Sequence, residues 1–484
     1  MMTRPKFSIV IPTADRHELL EKTIAGCLLS PYPNLEVLIS DNFSTPDTAK
    51  VVESFRADPR VRYVRTTRRL SMPDHWEFAW KQSSGDYIII NGDDDALSPS
   101  LIDRLAEITV MLKAGLISWD AGLYYHPDWN LSGRNTFGFG SSHSRLLFDT
   151  NPQAVFACYA RLEIPVFFPQ GTRICFSRKL ADRAVARTGR VFWPPYPDYS
   201  APLLLLGLLQ DERYIYIDEL LGYGGRSRQS NAAALDKENG KAGDEQRYQQ
   251  FFEEFREHDV YPNSELKFRS LWNGYAETLN LLRRILPETF ARYHVDQIAL
   301  IAAVECELLG IGIHNPFLGQ RERLDFDAFV KKQDPAIVES AMEIVRKRKI
   351  KYSNEAWKSN SWRFSWPVLG FLLHSKSLAW VAVKAKRFVV ARLTQQRLAP
   401  SKPPAIGSNL KLAVEHREGK AWLDCASFGG QDGLDLVRKF DDVVAACDRR
   451  EVNNLVDFFN KGFLLAAHEP PFLNGATQAL KISE

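Results

Sequence analysis

Short apolar runs alternate with segments of helical spacing from Phe7 to Asn91, and this alternation is the feature that most constrains the fold. Each run is rich in Ile, Val and Leu and ends at a polar turn, which is typical of a buried strand. Strands and helices in strict alternation predict an α/β fold with a mostly parallel sheet and helices on both faces. The predicted strands are Phe7–Ile11, Leu35–Ser40, Val61–Val64 and Tyr87–Asn91, and the predicted helices are His17–Leu29, Thr48–Phe55 and His75–Lys81.

Polar residues stand where three of these strands end. Thr13 follows the first strand, Asp41 follows the second, and Asp93, Asp94 and Asp95 follow the fourth. In open α/β sheets, ligands bind in the crevice at the carboxyl ends of the strands. We therefore expect these side chains to meet at one edge of the sheet.

The three consecutive aspartates need an explanation, because a buried strand delivers them to one point. At a spacing of ~5 Å and an effective dielectric constant of ~20, each pair of ionised carboxylates repels by about 3 kcal/mol. Such a cluster protonates, remains a solvated acidic turn, or holds a cation. Adjacent carboxylates that leave room for substrate phosphates suit a hard divalent cation. The other polar strand ends at the same edge favour the cation.

Three segments together resemble a known family. They read SIVIPTADR, LEVLISDN and GDYIIINGDDDALSPSLIDRL. The set is similar to the inverting nucleotide-sugar glycosyltransferases of family two, which have the GT-A fold. The resemblance covers residues 5–110 well and residues 165–230 more loosely.

The resemblance implies roles for the residues at the strand ends. Thr13 would contact the nucleotide, Arg16 would lie near a phosphate, and Asp41 would accept hydrogen bonds from the base. The aspartate triplet would be the family's D-x-D element, with Asp93 near the ribose or sugar. Its later members, Asp94 and Asp95, would bind Mn²⁺ or Mg²⁺ on the diphosphate. Many relatives have a further acid where Gly92 stands, so the division of labour among the three carboxylates stays open.

Inverting transfer also requires a carboxylate base that deprotonates the acceptor hydroxyl. The resemblance points to Asp198, in PPYPDYSAPLLLL, although Pro197 stands where relatives usually have Glu. The alternative interpretation of Asp198 is a helix N-cap or a first-turn acid favoured by the helix dipole. Asp211 and Asp218 are weaker candidates for the base.

Several other positions have a functional and a purely structural interpretation. Gly171 precedes a predicted strand over Thr172–Phe176, where it either lets the backbone approach a sugar or forms a tight turn. The segment Arg226–Ser230 lies where relatives often have residues that close over the diphosphate. The basic residues Arg65, Arg68 and Arg69 form either a solvated face or a phosphate or acceptor contact.

The length of 484 residues predicts two to four domains. Residues 120–145 are expected to be irregular, Ala201–Leu209 is expected to be a helix, and a last strand is expected at Tyr214–Ile217. Beyond residue 245 the spacing is helical. We predict a GT-A domain over residues 1–240, a helical extension over 241–400, and a small segment of unknown role over 401–484.

Positive charge is concentrated in residues 341–404, which contain fourteen Lys and Arg against two acidic residues. Within them, residues 357–393 mix tryptophan with basic side chains, which suits a membrane interface but also an ordinary packed helix. No RNA-binding motif accompanies the charge, so we expect no nucleic-acid partner. Six scattered cysteines and the lack of a long apolar stretch predict a cytoplasmic protein, peripheral at most to the membrane.

Taken together, the sequence predicts a metal-dependent glycosyltransferase. It would move a sugar from a nucleotide diphosphate donor, such as a UDP-sugar, to a hydroxyl of a glycan or lipid-linked acceptor. Two alternatives remain, a catalytically inactive glycan- or membrane-binding module on the same fold and a nucleotidyltransferase. The second would be expected to have a Gly-rich, basic loop after the first strand, and PTADRH has none.

Overall fold

The fold was analysed in a computed structural model. It describes residues 4–129, 136–140, 147–165, 167–230, 261–311, 318–358, 414–417, 420–424 and 477–480.

The described residues form one mixed sheet. Its strands are β1 Phe7–Thr13, β2 Leu35–Asp41, β3 Val61–Arg65, β4 Tyr87–Ile90, β5 Ala96–Leu97, β6 Ala114–Tyr125, β7 Thr136–Gly140, β8 Leu147–Thr150, β9 Ile174–Ser177, β10 Arg213–Arg226, β11 Val414–Arg417, β12 Lys420–Asp424 and β13 Thr477–Leu480. The longest path runs β11-β12-β7-β6-β9-β4-β1-β2-β3, with β10 beside β6. Strands β1 to β4 pair in parallel, so the predicted α/β class is confirmed.

Helices cover both faces of this sheet. Their bounds are α1 His17–Cys27, α2 Pro46–Glu53, α3 Met72–Gln82, α4 Leu101–Leu112, α5 Pro152–Ala160, α6 Arg178–Thr188, α7 Pro197–Gly207, α8 Leu271–Ile285, α9 Pro287–Phe290, α10 Gln297–Leu308, α11 Gln320–Val330 and α12 Pro335–Lys358. Several begin at a residue whose side chain accepts a backbone N–H, as Ser71 does for α3 and Ser177 for α6. Such caps satisfy donors that the first helical turn leaves free.

The alternating side chains of the buried strands separate two cores. Ile9 and Ile11 of β1 pack with α1, α2 and α4 on one face. Val10 faces the other side, where the core continues through α3 and α5–α7 into α8–α12. The helices after residue 270 therefore share a core with the sheet, which confirms a helical extension. The predicted boundary at residue 240 lies outside the described residues and stays a prediction.

Three elements differ from the sequence expectation. Residues 120–125, expected to be irregular, continue β6, because β10 and β7 pair with them. The last predicted strand is much longer, since β10 runs to Arg226. Residues 171–173, expected to begin a strand, form a short 3-10 turn before β9.

Most of the basic, tryptophan-rich segment 357–393 and most of residues 401–484 lie outside the described residues. The predicted membrane contact therefore stays a prediction. No helix in the described part of the chain is both long and apolar enough to cross a membrane.

Candidate active site

The acidic turn after β4 is held by the helix that follows β1. The hydroxyl of Thr23 in α1 donates toward the backbone carbonyls of Asp93 at 2.9 Å and Asp95 at 3.1 Å. Thr23 is buried, and it lies 70 residues earlier in the chain. The turn is thus fixed by its backbone, which leaves the three carboxylates available for other contacts.

Thr13 and Arg16 both bind Asp93. The Thr13 hydroxyl donates to Oδ2 at 2.7 Å, and Nε of Arg16 donates to the same oxygen at 3.1 Å. A second guanidinium nitrogen forms an ion pair with Oδ1 of Asp93, and a third contacts Asp94 at 3.2 Å. Thr13, Arg16, Asp93 and Asp94 thus lie together, with the guanidinium of Arg16 engaged by carboxylates, and their expected roles toward a donor stay predictions.

The end of β10 and the residues that follow it donate hydrogen bonds to the carboxylates of Asp94 and Asp95. The backbone N–H of Gly225 donates to Oδ1 of Asp95 at 2.9 Å, and the Ser230 hydroxyl donates to Oδ2 of Asp94 at 2.6 Å. Ser230 belongs to the segment predicted to lie over a diphosphate. Nothing in the sequence marked Thr23 or Gly225 as part of the site. Thr23 donates to backbone carbonyls, and Gly225 donates through its own backbone N–H.

Burial sets the protonation of this cluster. It raises the pKa of Asp93 to about 6 against the opposing charge of Arg16. Burial and the neighbouring Asp94 raise the pKa of Asp95 to about 7. Burial also disfavours the charge of Arg16, but the aspartates outweigh it and raise its pKa. Burial therefore favours the protonated forms of Asp93 and Asp95, and a bound cation would instead favour their ionised forms.

The donor set fits a divalent cation in part. Among the described residues, no group of three or more His, Cys, Asp or Glu side chains is arranged to hold a metal ion. Mg²⁺ is usually bound by one or two carboxylates together with water and substrate phosphates. Asp94, which is partly exposed, and Asp95 can provide those carboxylates. A bound phosphate would have to supply further ligands.

Asp41 lies beside Thr13 in the β1–β2 register, but its carboxylate is occupied elsewhere. Oδ1 accepts the backbone N–H of Ser44 at 2.8 Å. Oδ2 accepts the Tyr63 hydroxyl at 2.6 Å and a guanidinium N–H of Arg65 at 3.0 Å. The side chain is fully buried. Arg65, predicted as a solvated or phosphate-binding residue, is thus a partner of Asp41.

Asp198 is a first-turn residue of α7, since the N-cap position is Tyr196. The 3-10 turn packs directly against it, because a Cβ placed on Gly171 would lie 2.6 Å from Cα of Asp198. Gly171 therefore makes room for Asp198 rather than for a sugar. Burial raises the pKa of Asp198 to about 7.

The 3-10 turn that ends at Arg173 lies between Asp198 and the aspartate triplet. The same turn begins at Gly171. Nη2 of Arg173 and Oδ1 of Asp95 both lie 3.7 Å from the point where a Cβ on Gly224 would stand. The turn therefore contacts Asp198 at one end and approaches Asp95 at the other.

Comparisons with known proteins agree with the motifs. The family model described as Glycosyl transferase family 2 matches residues 8–157. The O-antigen biosynthesis protein RfbC of Myxococcus xanthus is 32% identical over 149 residues, which are 26% of this chain and 12% of that protein. A GalNAc(5)-diNAcBac-PP-undecaprenol beta-1,3-glucosyltransferase of Campylobacter jejuni is 30% identical over 105 residues, which are 21% of this chain and 34% of that protein.

This chain thus spans about an eighth and a third of the lengths of those two relatives. Among solved structures, S. aureus TarS 1-349 in complex with UDP-GlcNAc aligns over 70% of this chain and 92% of its own, with 13% identity and a TM-score of 0.42. That structural likeness is too distant to support an argument about function.

Proposed function

We propose, from the family 2 match of residues 8–157 and the acidic cluster within it, that this protein is an inverting glycosyltransferase. It transfers a sugar from a nucleotide diphosphate donor, with UDP-sugars as the first class to test, to a hydroxyl of a glycan or lipid-linked acceptor. The observation that carries the proposal is the contact of Thr13, Arg16 and Ser230 with Asp93 and Asp94. These residues meet at the carboxyl edge of parallel strands, where α/β sheets bind ligands.

In this proposal, Asp94 and Asp95 would hold a Mn²⁺ or Mg²⁺ ion, for which a donor diphosphate would supply further ligands. When bound, such an ion stabilises the negative charge that develops on the departing diphosphate. Thr13 and Arg16 hold Asp93 in a fixed orientation, so that it can accept a hydrogen bond from a ribose or sugar hydroxyl.

Asp41 recognises the base in this proposal. Its carboxylate offers about four acceptor positions. Oδ1 accepts one of the three hydrogen bonds described above, so an N–H of the base could bind it once the donor displaces the groups that bury Asp41. Tyr63 and Arg65 orient the carboxylate from its other oxygen.

Asp198 is the proposed base. A carboxylate with a pKa of about 7 suits proton abstraction near neutral pH. Asp198 takes the proton of the acceptor hydroxyl while that oxygen forms its bond to the anomeric carbon. The bond from the same carbon to the diphosphate breaks on the opposite face, which inverts the configuration.

The test uses three aspartate-to-asparagine variants of the full chain. Asp94→Asn is expected to weaken Mn²⁺-dependent donor binding. Asp198→Asn is expected to leave donor binding unchanged and to lower the transfer rate by 10²-fold or more, since general-base catalysis typically contributes that much. Asp211→Asn is the matched control and also tests the weaker candidate for the base; because Asp211 is exposed on the surface, the variant is expected to behave as the native protein.

Donor binding is measured by calorimetry with a panel of nucleotide sugars and Mn²⁺, and turnover by release of the nucleoside diphosphate. Near-normal turnover of Asp198→Asn would refute the assignment of the base. Binding without turnover for every donor and acceptor would indicate an inactive binding module. Release of pyrophosphate from a nucleoside triphosphate would indicate a nucleotidyltransferase instead.

A further inference from the structure

Two tyrosines lie close to Asp198 in the chain. Tyr196 is the N-cap of α7, two residues before Asp198 with Pro197 between them, and Tyr199 directly follows Asp198. Ser200, one residue further on, closes this segment by donating to the Trp193 carbonyl at 2.7 Å and accepting the Trp193 N–H at 3.1 Å. The segment that contains Tyr196, Asp198 and Tyr199 is thereby closed at Trp193 and Ser200.

Helix α8 of the helical extension holds those rings. A Cβ on Gly274 would overlap Cε2 of Tyr196, so the ring lies directly on the helix backbone. The next residue, Tyr275, packs on Tyr199 with ring centroids 4.6 Å apart and on Tyr196 at 6.2 Å. Two consecutive residues of α8 thus contact Tyr196 and Tyr199, the two tyrosines closest to Asp198 in the chain.

The position of α8 is itself fixed by a hydrogen bond between its N-cap and α10. Its N-cap, Ser270, accepts the Asn273 N–H at 3.3 Å and donates its own hydroxyl to Glu307 of α10 at 2.6 Å. Ser270 and Glu307 are both buried. Because a buried charge-assisted hydrogen bond is costly to break, the first turn of α8 has little freedom to shift.

We propose that Gly274 and Tyr275 are positioning residues for Asp198, so that the helical extension forms one wall of the catalytic site. This inference rests on the proposed function, in which Asp198 is the base. Gly171 holds Asp198 from the sheet side and α8 holds it from the extension. The carboxylate is therefore set by contacts between two parts of the chain about 100 residues apart.

The test compares two glycine-to-alanine variants that both add a methyl group between α7 and the extension. Gly274→Ala displaces Tyr196 beside Asp198. Gly207→Ala is the control at the far end of α7, where the new Cβ would lie 2.8 Å from the Phe290 ring. We expect Gly274→Ala to lower kcat for transfer at least 10-fold with the donor KM within about twofold of native. Gly207→Ala is expected to keep kcat within about twofold.

Substitutions of Tyr275 separate ring packing from general stability. Tyr275→Phe keeps the ring on Tyr199 and is expected to keep most of the native kcat. Tyr275→Leu removes the ring and is expected to lower kcat as Gly274→Ala does. Equal kcat losses in Gly274→Ala and Gly207→Ala, or a donor KM that changes as much as kcat, would overturn the proposal.

A measurement without turnover separates this inference from the proposed function. The pH dependence of carbodiimide modification at Asp198, followed by mass spectrometry, reports the environment of its carboxyl. Gly274→Ala is expected to shift that midpoint, and Gly207→Ala is expected to leave it unchanged. An unshifted midpoint in Gly274→Ala refutes the positioning role, whereas a shifted midpoint in a protein that transfers no sugar refutes only the proposed function.

Discussion

At the scale of single residues, the acidic turn shows how a cluster of like charges persists in a fold. Arg16 neutralises part of the charge of Asp93 and Asp94. The remaining stabilisation comes from uncharged donors, among them the Gly225 N–H and the Ser230 hydroxyl. The turn is thereby held without being fully neutralised.

Thr23 is predicted to stabilise this turn measurably. Thr23→Val keeps the shape of the side chain but removes the donor to two backbone carbonyls, so we expect a loss of about 1–3 kcal/mol in the free energy of unfolding. Thr48→Val is the matched control in α2. Among the described residues, the buried Thr48 hydroxyl has no hydrogen-bond partner, so its removal should be neutral or stabilising. Urea unfolding of both variants measures the change in the free energy of unfolding and checks that Thr23→Val lowers it while Thr48→Val does not.

The titration of Asp198 is predicted to give opposite effects of pH on the transfer rate and on the free energy of unfolding. The pKa of Asp198 in the folded protein is about 7, above the ordinary 3.8, because burial disfavours the carboxylate. The neighbouring side chains Tyr159, Tyr199 and Tyr275 stay neutral in this pH range, because burial raises their pKa values. The stability contributed by the protonated form is complete below pH ~4 and is lost as pH rises through ~7, at about 1.4 kcal/mol per unit. Transfer should instead rise toward a plateau above pH ~7.

The variant Asp198→Asn isolates both effects, because an amide stays neutral at every pH. Its melting temperature should fall less between pH 5 and pH 8 than that of the native protein. An identical slope in the two proteins would contradict the raised pKa. The control is Asp211→Asn, whose exposed side chain should leave the slope unchanged.

At the scale of elements, β10 is predicted to tolerate substitution at one glycine and not at its neighbour. A Cβ on Gly225 would overlap the carbonyl oxygen of Asp94, whereas a Cβ on Gly224 would meet its nearest atoms at 3.7 Å. Gly225→Ala should therefore cost about 1–3 kcal/mol and weaken donor binding. Gly224→Ala should change stability by less than about 0.5 kcal/mol. Unfolding midpoints and donor calorimetry on the two variants test the difference.

The elements that the sequence predicted correctly are those whose own residues carry the burial pattern. Strands β1, β2 and β4 consist of continuous apolar runs, so their bounds were predicted to within two residues. Helix α6 was missed because its buried face is only Leu180, Ala181 and Ala184 among basic residues. Residues 120–125 were expected to be irregular, but pairing with β7 and β10 holds them in a strand, and that pairing is tertiary.

The same distinction applies to the candidate site. Side chains at strand ends, such as Thr13 and Asp93, were predicted because parallel strands end together. Thr23 could not be predicted, since its contact is with a backbone carbonyl 70 residues away. Gly274 and Tyr275 were equally invisible, because their relevance arises from the packing of α8 on α7.

At the scale of the whole molecule, the described helices beyond residue 270 share one core with the sheet. Apolar residues of α7 and α5 share one cluster with residues of α8, α9 and α10. Phe290 of α9 is fully buried, and its ring lies 4.6 Å from that of Phe156 in α5. Removing the extension would expose this surface to water. We therefore expect the sheet and the helices α8–α10 to unfold together.

Phe290→Ala tests this cooperativity from inside the extension. Loss of a fully buried ring should cost about 3–5 kcal/mol. If the core is one unit, hydrogen exchange in intermediate urea should rise together in peptides from β1–β4 and from α8–α10, because both depend on the same unfolding step. Leu324→Ala in α11 is the control, since Leu324 is 61% exposed and its truncation should leave exchange unchanged. Peptides of β1–β4 that stay protected while α8–α10 exchange would instead establish the sheet as an independent domain, and the boundary near residue 240 with it.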